Sequence, residues 1–350
     1  MRNKKMNIMK RFLFSILAFC FVLSVWSIDV EDYYATAEGK SGASLKTALN
    51  NIIKNHTDVG YKGLYDVYET SDDRNGQVWD MYSTCTWTHG DKKCGNYSNV
   101  CDCYNREHTI PQSWFDEKTP MKSDAFHVYP TDGKVNGIRS NHPHGETNAS
   151  AIGGKALGKI GKSSVSGYSG TVYEPDDEYK GDIARTYFYF VTCYEDQLSG
   201  FDCNDVLTGD TYPSLTSWFY NLMLDWHRED PVSKKETDRN EAVYKHQKNR
   251  NPFIDYPELA EHIWGDKKSE AFYFNATAID DVQMPKYDVV VTEGRISVSK
   301  LNGETISLFD LSGRMLYSAE TTTSTYELNV SQKGVYLLRV NSSVTKVIVQ

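Results

Sequence analysis

Three charged or titratable side chains are adjacent in the segment CYNREHTIPQSWF, residues 103–115: Arg106, Glu107 and His108. A glutamate carboxylate is a hard oxygen ligand that suits Mg²⁺ or Ca²⁺. A neutral histidine can take a proton from water near pH 7. Neighbouring side chains point apart on a strand but can converge in a turn, and we interpret the segment as a short polar turn. It would then supply a metal ligand and a general base.

A second metal ligand is expected elsewhere, because Mg²⁺ keeps several waters and takes few protein ligands. The segment DAFHVYPTDGKVNGIRSNHPHGE, residues 124–146, is rich in oxygen and nitrogen donors. Its candidate ligands are Asn136, Asn141, Asp124, Asp132, His127, His142 and His144. Arg139 and Lys134 lie close by as potential partners of a phosphate group. Together the two segments contain the parts of a phosphodiesterase.

Other interpretations of the same residues stay open. A Glu-His pair is commonly a solvated loop, and an Asn/Gly-rich segment is commonly a turn. His127, His142 and His144 could instead hold the zinc ion of a hydrolase. The 24 tyrosines would also suit a catalytically inactive protein that binds a surface, since tyrosine combines an apolar ring with a polar tip.

The N-terminus has the pattern of a secretory signal peptide. Basic residues from Lys4 to Arg11 precede an apolar run from Phe12 to Trp26, and Ser27 is a plausible cleavage point. The run is short for a transmembrane helix and is followed by acidic residues. The sequence therefore predicts an exported protein with no membrane span after the signal, residues 1–27, is removed.

Six cysteines remain after removal of the signal: Cys85, Cys94, Cys101, Cys103, Cys193 and Cys203. An even number in an exported chain implies disulfides. The sequence does not choose among the possible pairings. The working assignment is Cys94–Cys103, Cys85–Cys101 and Cys193–Cys203, of which the first two would lie beside the Glu-His pair.

The charge balance speaks against long-range attraction to nucleic acid. The formal net charge is −9, and the excess of acidic residues lies in the central part of the chain, residues 28–270. Proteins that hold nucleic acid by their overall field are usually basic. A nucleic-acid function must therefore depend on a local site.

Apolar periodicity divides the chain into a mostly helical part and a β-rich tail. Helical spacing is found in SLKTALNNIIKNH, GDIARTYFYFVTCYED, SLTSWFYNLMLDWHRED, SKKETDRNEAVYKHQ and YPELAEHIWG. Ser233 and Glu236 form a predicted capping box. Residues 60–175 are interpreted as loops with short strands. After about residue 275, short alternating segments separated by turn signals predict a β-sandwich.

Several motifs in this order resemble the endonuclease I family: CGNYS and CDCYNREHTIPQSWF, then SDAFHVYPTDGKVNGIRSNHPHGE, GDIARTYFYFVTCYED and WHREDPVSKKETDRNEAVYKHQKNRNPFIDYPELAEHIWG. The resemblance covers roughly residues 40–270. It implies a secreted, disulfide-containing nuclease that cuts largely without sequence preference. It also implies an α+β fold in which a mostly helical catalytic domain contains a ββα-metal finger.

The resemblance also implies roles for individual residues. Glu107 and Asn136 would bind one Mg²⁺, with Ca²⁺ or Mn²⁺ as alternatives, and His108 would be the general base. The expected products of DNA, with RNA as a second substrate, carry 5′-phosphate and 3′-hydroxyl ends. Arg139, Arg106, Lys134 and Lys118 are the candidate nucleic-acid contacts. Some relatives orient the base with an acid where this chain has Lys122, so Asp124 or a backbone carbonyl must replace it.

Residues 286–350, with ISLFDLSGRMLYS and GVYLLRVNSSVTKVIVQ, resemble the C-terminal sorting domain of type IX secretion cargo. This implies recognition by that secretion machinery and an extracellular or surface-attached protein. An ordinary β-sandwich binding module is the alternative. The expected organisation is a signal peptide (1–27), a catalytic domain (28–275), a linker (276–285) and the sorting domain (286–350), in a monomer.

Overall fold

The computed structural model describes residues 30–202, 205–274, 287–292, 294–311, 313–341 and 343–349. The signal peptide predicted at 1–27, the linker predicted at 276–285 and Cys203 lie outside the described residues. The chain divides into two compact units, which meet in sequence between Asn275 and Ala276.

The described part of the first unit contains the helices α1 (Val30–Tyr34), α2 (Gly42–Ile53), α3 (Gly60–Ser71), α4 (Gly133–Arg139), α5 (Lys180–Cys193), α6 (Ser217–Glu229), α7 (Lys234–Gln247), α8 (Pro252–Asp255) and α9 (Leu259–Ile263). The five segments with helical spacing correspond to α2, α5, α6, α7 and α9. The capping box at the start of α7 is confirmed, because Ser233 and Glu236 exchange their hydrogen bonds.

Helix α5 lies at the centre of this unit. Every residue from Gly181 to Cys193 is buried, and the helix packs against α2, α6 and α8. Its apolar side chains fill the interior, and its two buried charged residues, Asp182 and Arg185, are paired with Lys235 and Glu236. Its position explains why the surrounding helices each bury only one face.

Helix α3 corrects the prediction that residues 60–175 are loops with short strands. Its buried face consists of Leu64, Val67, Tyr68 and Ser71, which recur at helical spacing. Gly60 and Gly63 lower its intrinsic helix propensity, so packing of this one face against α7 is what stabilises it.

Short antiparallel strands complete the first unit: β1 (Asp73–Arg74), β2 (Gln77–Val78), β3 (Tyr104–His108), β4 (Val128–Asp132), β5 (Ala151–Gly153), β6 (Ala156–Lys162) and β7 (Thr171–Glu174). They form three separate sheets, in which β1 pairs with β2, β3 with β4, and β6 with both β5 and β7. Helices and small antiparallel sheets in one unit confirm the α+β class.

The second unit is all-β in the residues described. Its strands are β8 (Asp288–Thr292), β9 (Arg295–Ser299), β10 (Thr305–Asp310), β11 (Met315–Glu320), β12 (Thr325–Asn329), β13 (Gly334–Val340) and β14 (Ser343–Val349). One sheet has the order β12-β9-β8 and the other β11-β10-β13-β14. Ile296 and Val298 of the first sheet share one core with Ile306 and Leu338 of the second, as a sandwich requires.

Candidate active site

A pair of strands, and the helix that directly follows the second strand, bring the two predicted segments together. β3 pairs antiparallel with β4, with Glu107 opposite Tyr129. Helix α4 begins directly after β4, because Asp132 caps it by accepting a hydrogen bond from the backbone N–H of Val135 at 2.9 Å. The side chains of β3 and α4 consequently meet beside one cleft.

Glu107 and His108 lie on a strand, which corrects the interpretation of this segment as a polar turn. Side chains alternate along a strand, and β3 divides its residues in this way. Asn105 and Glu107 contact α4, through Asn136 and Arg139. Arg106 and His108 approach α3 instead. Residues of both groups line the same cleft of about 530 Å³, and the strand ends at His108.

The carboxylate of Glu107 is buried and held at one oxygen only. Its Oε1 accepts hydrogen bonds from Nη1 of Arg139 at 2.8 Å and from the hydroxyl of Tyr82 at 3.1 Å. Its Oε2 has no hydrogen-bond partner in the part of the chain that the structure describes. Burial raises the pKa of Glu107 to about 7, although Arg139 opposes the rise. A cation at Oε2 would stabilise the ionised form.

Tyr82 is itself fixed by His144. The single hydroxyl proton of Tyr82 goes to Glu107, so the 2.9 Å contact with His144 is a donation from Nε2–H of the imidazole. The other ring nitrogen, Nδ1, faces the hydroxyl of Tyr187 at 3.1 Å and Nη2 of Arg139 at 3.4 Å. Burial, followed by the nearby guanidinium, lowers the pKa of His144 well below its usual range. The imidazole is neutral and fully engaged in supporting Glu107.

The zinc alternative based on His127, His142 and His144 is wrong in this structure. His144 is committed to tyrosine hydroxyls, and His127 donates through Nε2 to the carbonyl of Met121 at 2.6 Å. Among the described residues, three or more His, Cys, Asp or Glu side chains come close enough to share a metal ion only at His56, Asp124 and Cys193 and at Cys85, Cys101 and Asp132, so the three histidines form no such group. In the second group the two cysteines form a disulfide.

His108 has a defined tautomer. Its Nε2 lies 3.0 Å from the carbonyl oxygen of Lys122, and a carbonyl can only accept, so the proton is on Nε2 and the lone pair is on Nδ1. Nδ1 makes no hydrogen bond within the described residues. Burial, with His127 nearby, lowers the pKa of His108 well below its usual range, so the ring is neutral. Of the two expected substitutes for an orienting acid, the backbone carbonyl is the one that contacts His108, while Asp124 accepts from Tyr189 and Tyr194.

Asn136 lies on α4 at the edge of the cleft and is partly exposed. Its Nδ2 donates to Oδ1 of Asn105 at 2.8 Å, which leaves Oδ1 of Asn136 without a hydrogen bond among the described residues. Asn105 was not predicted as a site residue. The sequence feature that could have identified it is its position two residues before Glu107, because residues i and i+2 lie on the same face of a strand.

The four predicted basic contacts occupy different environments. Arg139 is 1% exposed, and it also donates to the carbonyls of His108 and Thr109. Arg106 is half-buried and lines the cleft. Lys134 is half-buried on α4. Lys118 is exposed, pairs with a neighbouring aspartate at 3.1 Å and does not line the cleft.

Two of the three assigned disulfides are present. Cys85–Cys101 and Cys94–Cys103 are confirmed, and they fix the loop that leads into β3. Cys193 is a free, buried thiol, in disagreement with the assigned bond to Cys203.

Comparison with known proteins identifies the family. A family model described as endonuclease I matches residues 41–258. The chain belongs to the endonuclease I family. A second model, described as a secretion system C-terminal sorting domain, matches residues 290–350.

Relatives of this endonuclease I chain include secreted nucleases. The extracellular ribonuclease of Bacillus amyloliquefaciens is 35% identical over 243 residues, which cover 68% of this chain and 80% of the relative. That of Bacillus subtilis (strain 168) is 36% identical, with coverages of 67% and 79%. A periplasmic deoxyribonuclease of Aeromonas hydrophila is 29% identical, over 40% of this chain and half of the relative.

The family and the sorting domain together establish a nuclease that is exported to the cell surface or the medium. Every helix among the described residues is too short or too polar to cross a lipid bilayer.

Proposed function

We propose that the protein hydrolyses phosphodiester bonds of nucleic acid with one divalent metal ion, with Mg²⁺ the expected ion and Ca²⁺ or Mn²⁺ as alternatives. The observation that carries the proposal is the pairing, in one cleft, of a histidine with a fixed tautomer and a carboxylate with one free oxygen. Oε2 of Glu107 and Oδ1 of Asn136 would hold the ion, and both are hard oxygen donors that make no competing hydrogen bond with any residue the structure describes. When bound, the ion would supply positive charge for the phosphate and the departing oxygen.

The residues of the chain have separate tasks in this proposal. Nδ1 of His108 takes the proton from the attacking water, while the carbonyl of Lys122 holds the ring in place. Arg139 and Tyr82 keep the Glu107 carboxylate in position. Attack of water on phosphorus with departure of the 3′-oxygen leaves 5′-phosphate and 3′-hydroxyl ends.

Arg106 is the better candidate for contact with phosphate. Arg139 directs its guanidinium to Glu107 and to two backbone carbonyls, so we assign it to positioning. Arg106 has no carboxylate partner among the described residues and lines the cleft. Lys134 stays a candidate because of its place on α4, whereas Lys118 would reach only a long substrate.

We propose both RNA and DNA as substrates. The two Bacillus relatives, which are named ribonucleases, match about two thirds of this chain, and a relative named deoxyribonuclease matches a shorter part. Contacts with phosphates rather than base edges carry no sequence information, which suits nonspecific cleavage. The sorting domain would be recognised by the type IX machinery, and the enzyme would act as a monomer.

The test combines a plasmid-nicking assay and an RNA cleavage assay with a series of Mg²⁺, Mn²⁺ and Ca²⁺ concentrations. His108→Ala should lower the rate about 10²–10⁴-fold, the usual loss for a positioned base, and should leave metal binding unchanged. His142→Ala is the control, because His142 does not line the cleft. Full activity of His108→Ala, or full activity of the wild type in a chelator, would contradict the proposal.

A further inference from the structure

Three cations and two tyrosine rings alternate in a strip that reaches the cleft at Arg106 and Tyr61. In spatial order this cation–aromatic strip consists of Lys93, Tyr65, Arg106, Tyr61 and Lys122. Nζ of Lys93 lies 4.9 Å from the ring centre of Tyr65. The guanidinium carbon of Arg106 lies 4.7 Å from the same ring and 3.4 Å from that of Tyr61, and Nζ of Lys122 lies 5.3 Å from the latter.

The fold builds the strip from three elements. Tyr61 and Tyr65 are four residues apart on α3, so they occupy one face of the helix. Arg106 comes from the face of β3 that is directed towards α3. Lys93 lies in the loop closed by the Cys85–Cys101 disulfide, directly before Cys94, and Lys122 lies in the segment before β4. Each part is anchored by packing or by a cross-link, so the cations do not depend on one another for their positions.

Two of the three cations of the strip, Lys93 and Arg106, are available to a ligand, whereas Nζ of Lys122 pairs with Glu117 at 2.5 Å. Elsewhere in this acidic unit, buried cations pair with carboxylates, as Arg185 does with Glu236 and Arg239 with Asp72. Within the described residues, Lys93 and Arg106 have no such partner. Arg106 is instead fixed by a 2.6 Å hydrogen bond from Nη1 to the carbonyl of Tyr61. The strip therefore presents local positive charge although the protein is acidic overall.

The strip leads into the reaction site. The ring of Tyr61 lies 5.9 Å from that of His108, and Tyr61 and Arg106 line the cleft together with Glu107. A chain of regularly spaced phosphates that bound along the strip would have one phosphate next to His108.

We infer that the cation–aromatic strip is the track for the phosphates of the substrate strand as it enters the cleft, an inference that rests on the proposed nuclease function. The cations occupy the ring faces, so the tyrosines orient the cations and do not stack on bases. The ligand is the sugar–phosphate backbone, whatever its bases.

The experiment measures binding of a fluorescent oligonucleotide to the full chain carrying His108→Ala, as a function of salt. Lys93→Gln should reduce the slope of log affinity against log salt by about 0.7–0.9, the value for one phosphate contact. The same relation gives a loss of about fivefold in affinity near 0.15 M salt. In the otherwise unchanged enzyme, Lys93→Gln should raise KM by a similar factor and leave kcat unchanged.

Two further variants separate charge from position. Lys268→Gln removes an exposed lysine after α9 that lies outside the strip, and it should leave the slope unchanged. Arg106→Lys keeps the charge but loses the stacked guanidinium, so it should keep the slope and weaken binding. Equal slopes for Lys93→Gln and Lys268→Gln would overturn the inference. If that result came with loss of cleavage in His108→Ala, the nuclease proposal would stand while the track was rejected.

Discussion

Removal of one hydroxyl group should show how the candidate metal ligand is held. Tyr82→Phe deletes the donor that lies 3.1 Å from Oε1 of Glu107 and also the acceptor of His144 Nε2–H at 2.9 Å. A hydrogen bond to a charged group contributes about 1.5–3 kcal/mol. Because a factor of ten corresponds to about 1.4 kcal/mol, the apparent affinity for Mg²⁺ should fall about 10–100-fold, as is usual when a residue behind a metal ligand is changed.

The assay is cleavage of RNA and plasmid at a series of Mg²⁺ concentrations. Arg139 still holds Oε1 in the variant, so the carboxylate remains near its place. We therefore expect the midpoint of the metal titration to rise, while kcat at saturating metal recovers to within about tenfold of the wild type.

Tyr189→Phe is the matched control. Tyr189 is also fully buried, and its hydroxyl donates to the carboxylate of Asp124 at 2.8 Å. Asp124 lies outside the candidate metal site. Both variants should lose comparable stability, but only Tyr82→Phe should shift the metal titration. An unshifted titration for Tyr82→Phe, or an equal shift for both, would refute the role assigned to the hydroxyl.

Two further predictions concern stability. Gly181→Ala would place a Cβ 2.1 Å from the backbone carbonyl of Asp230, so urea unfolding should show a loss of about 1–3 kcal/mol in the unfolding free energy. In Gly63→Ala the new Cβ would meet Val59 at 3.8 Å, and the unfolding free energy should rise by about 0.5–1 kcal/mol from helix propensity. Changes of the same sign in the two variants would contradict this contrast. Burial raises the pKa of Asp80 to about 7, so the stability contributed by the protonated side chain is complete below about pH 4 and is lost as the pH rises through 7. Asp80→Asn should therefore remove up to about 4 kcal/mol of the pH dependence of the unfolding free energy. Parallel curves of unfolding free energy against pH for the variant and the wild type would contradict this prediction.

The sequence predicted the long helices because apolar residues dominate their buried faces. Helix α6, for example, buries Trp218, Phe219, Leu222 and Met223 at helical spacing. It did not predict β3 as a strand, because Asn105, Arg106 and Glu107 are polar on both faces and give no alternation of apolar and polar residues. Both faces are polar since each one contributes to the cleft.

The support of Glu107 could not be predicted from the sequence. Tyr82 lies 25 residues before it, in a segment whose only signal is one aromatic residue among many. His144 attracted attention as a zinc ligand because histidines were clustered in sequence, but the fold separates that cluster. Burial and hydrogen-bond partners, which are tertiary properties, decide which of several similar side chains takes which role.

The same principle resolves the conflict between an acidic protein and an acidic substrate. Side chains alternate along a strand, so four consecutive residues of β3 are divided between two neighbouring helices, α4 and α3. Asn105 and Glu107 face α4 and Asn136, where oxygen donors can hold a cation. Arg106 and His108 face α3 and Tyr61, where a cation and a base can meet a phosphate. Positive charge is needed only along that second face, and screening confines the field of more distant exposed carboxylates to about 10 Å at moderate salt. The local cations on this face therefore govern both whether binding occurs and how steeply it depends on salt.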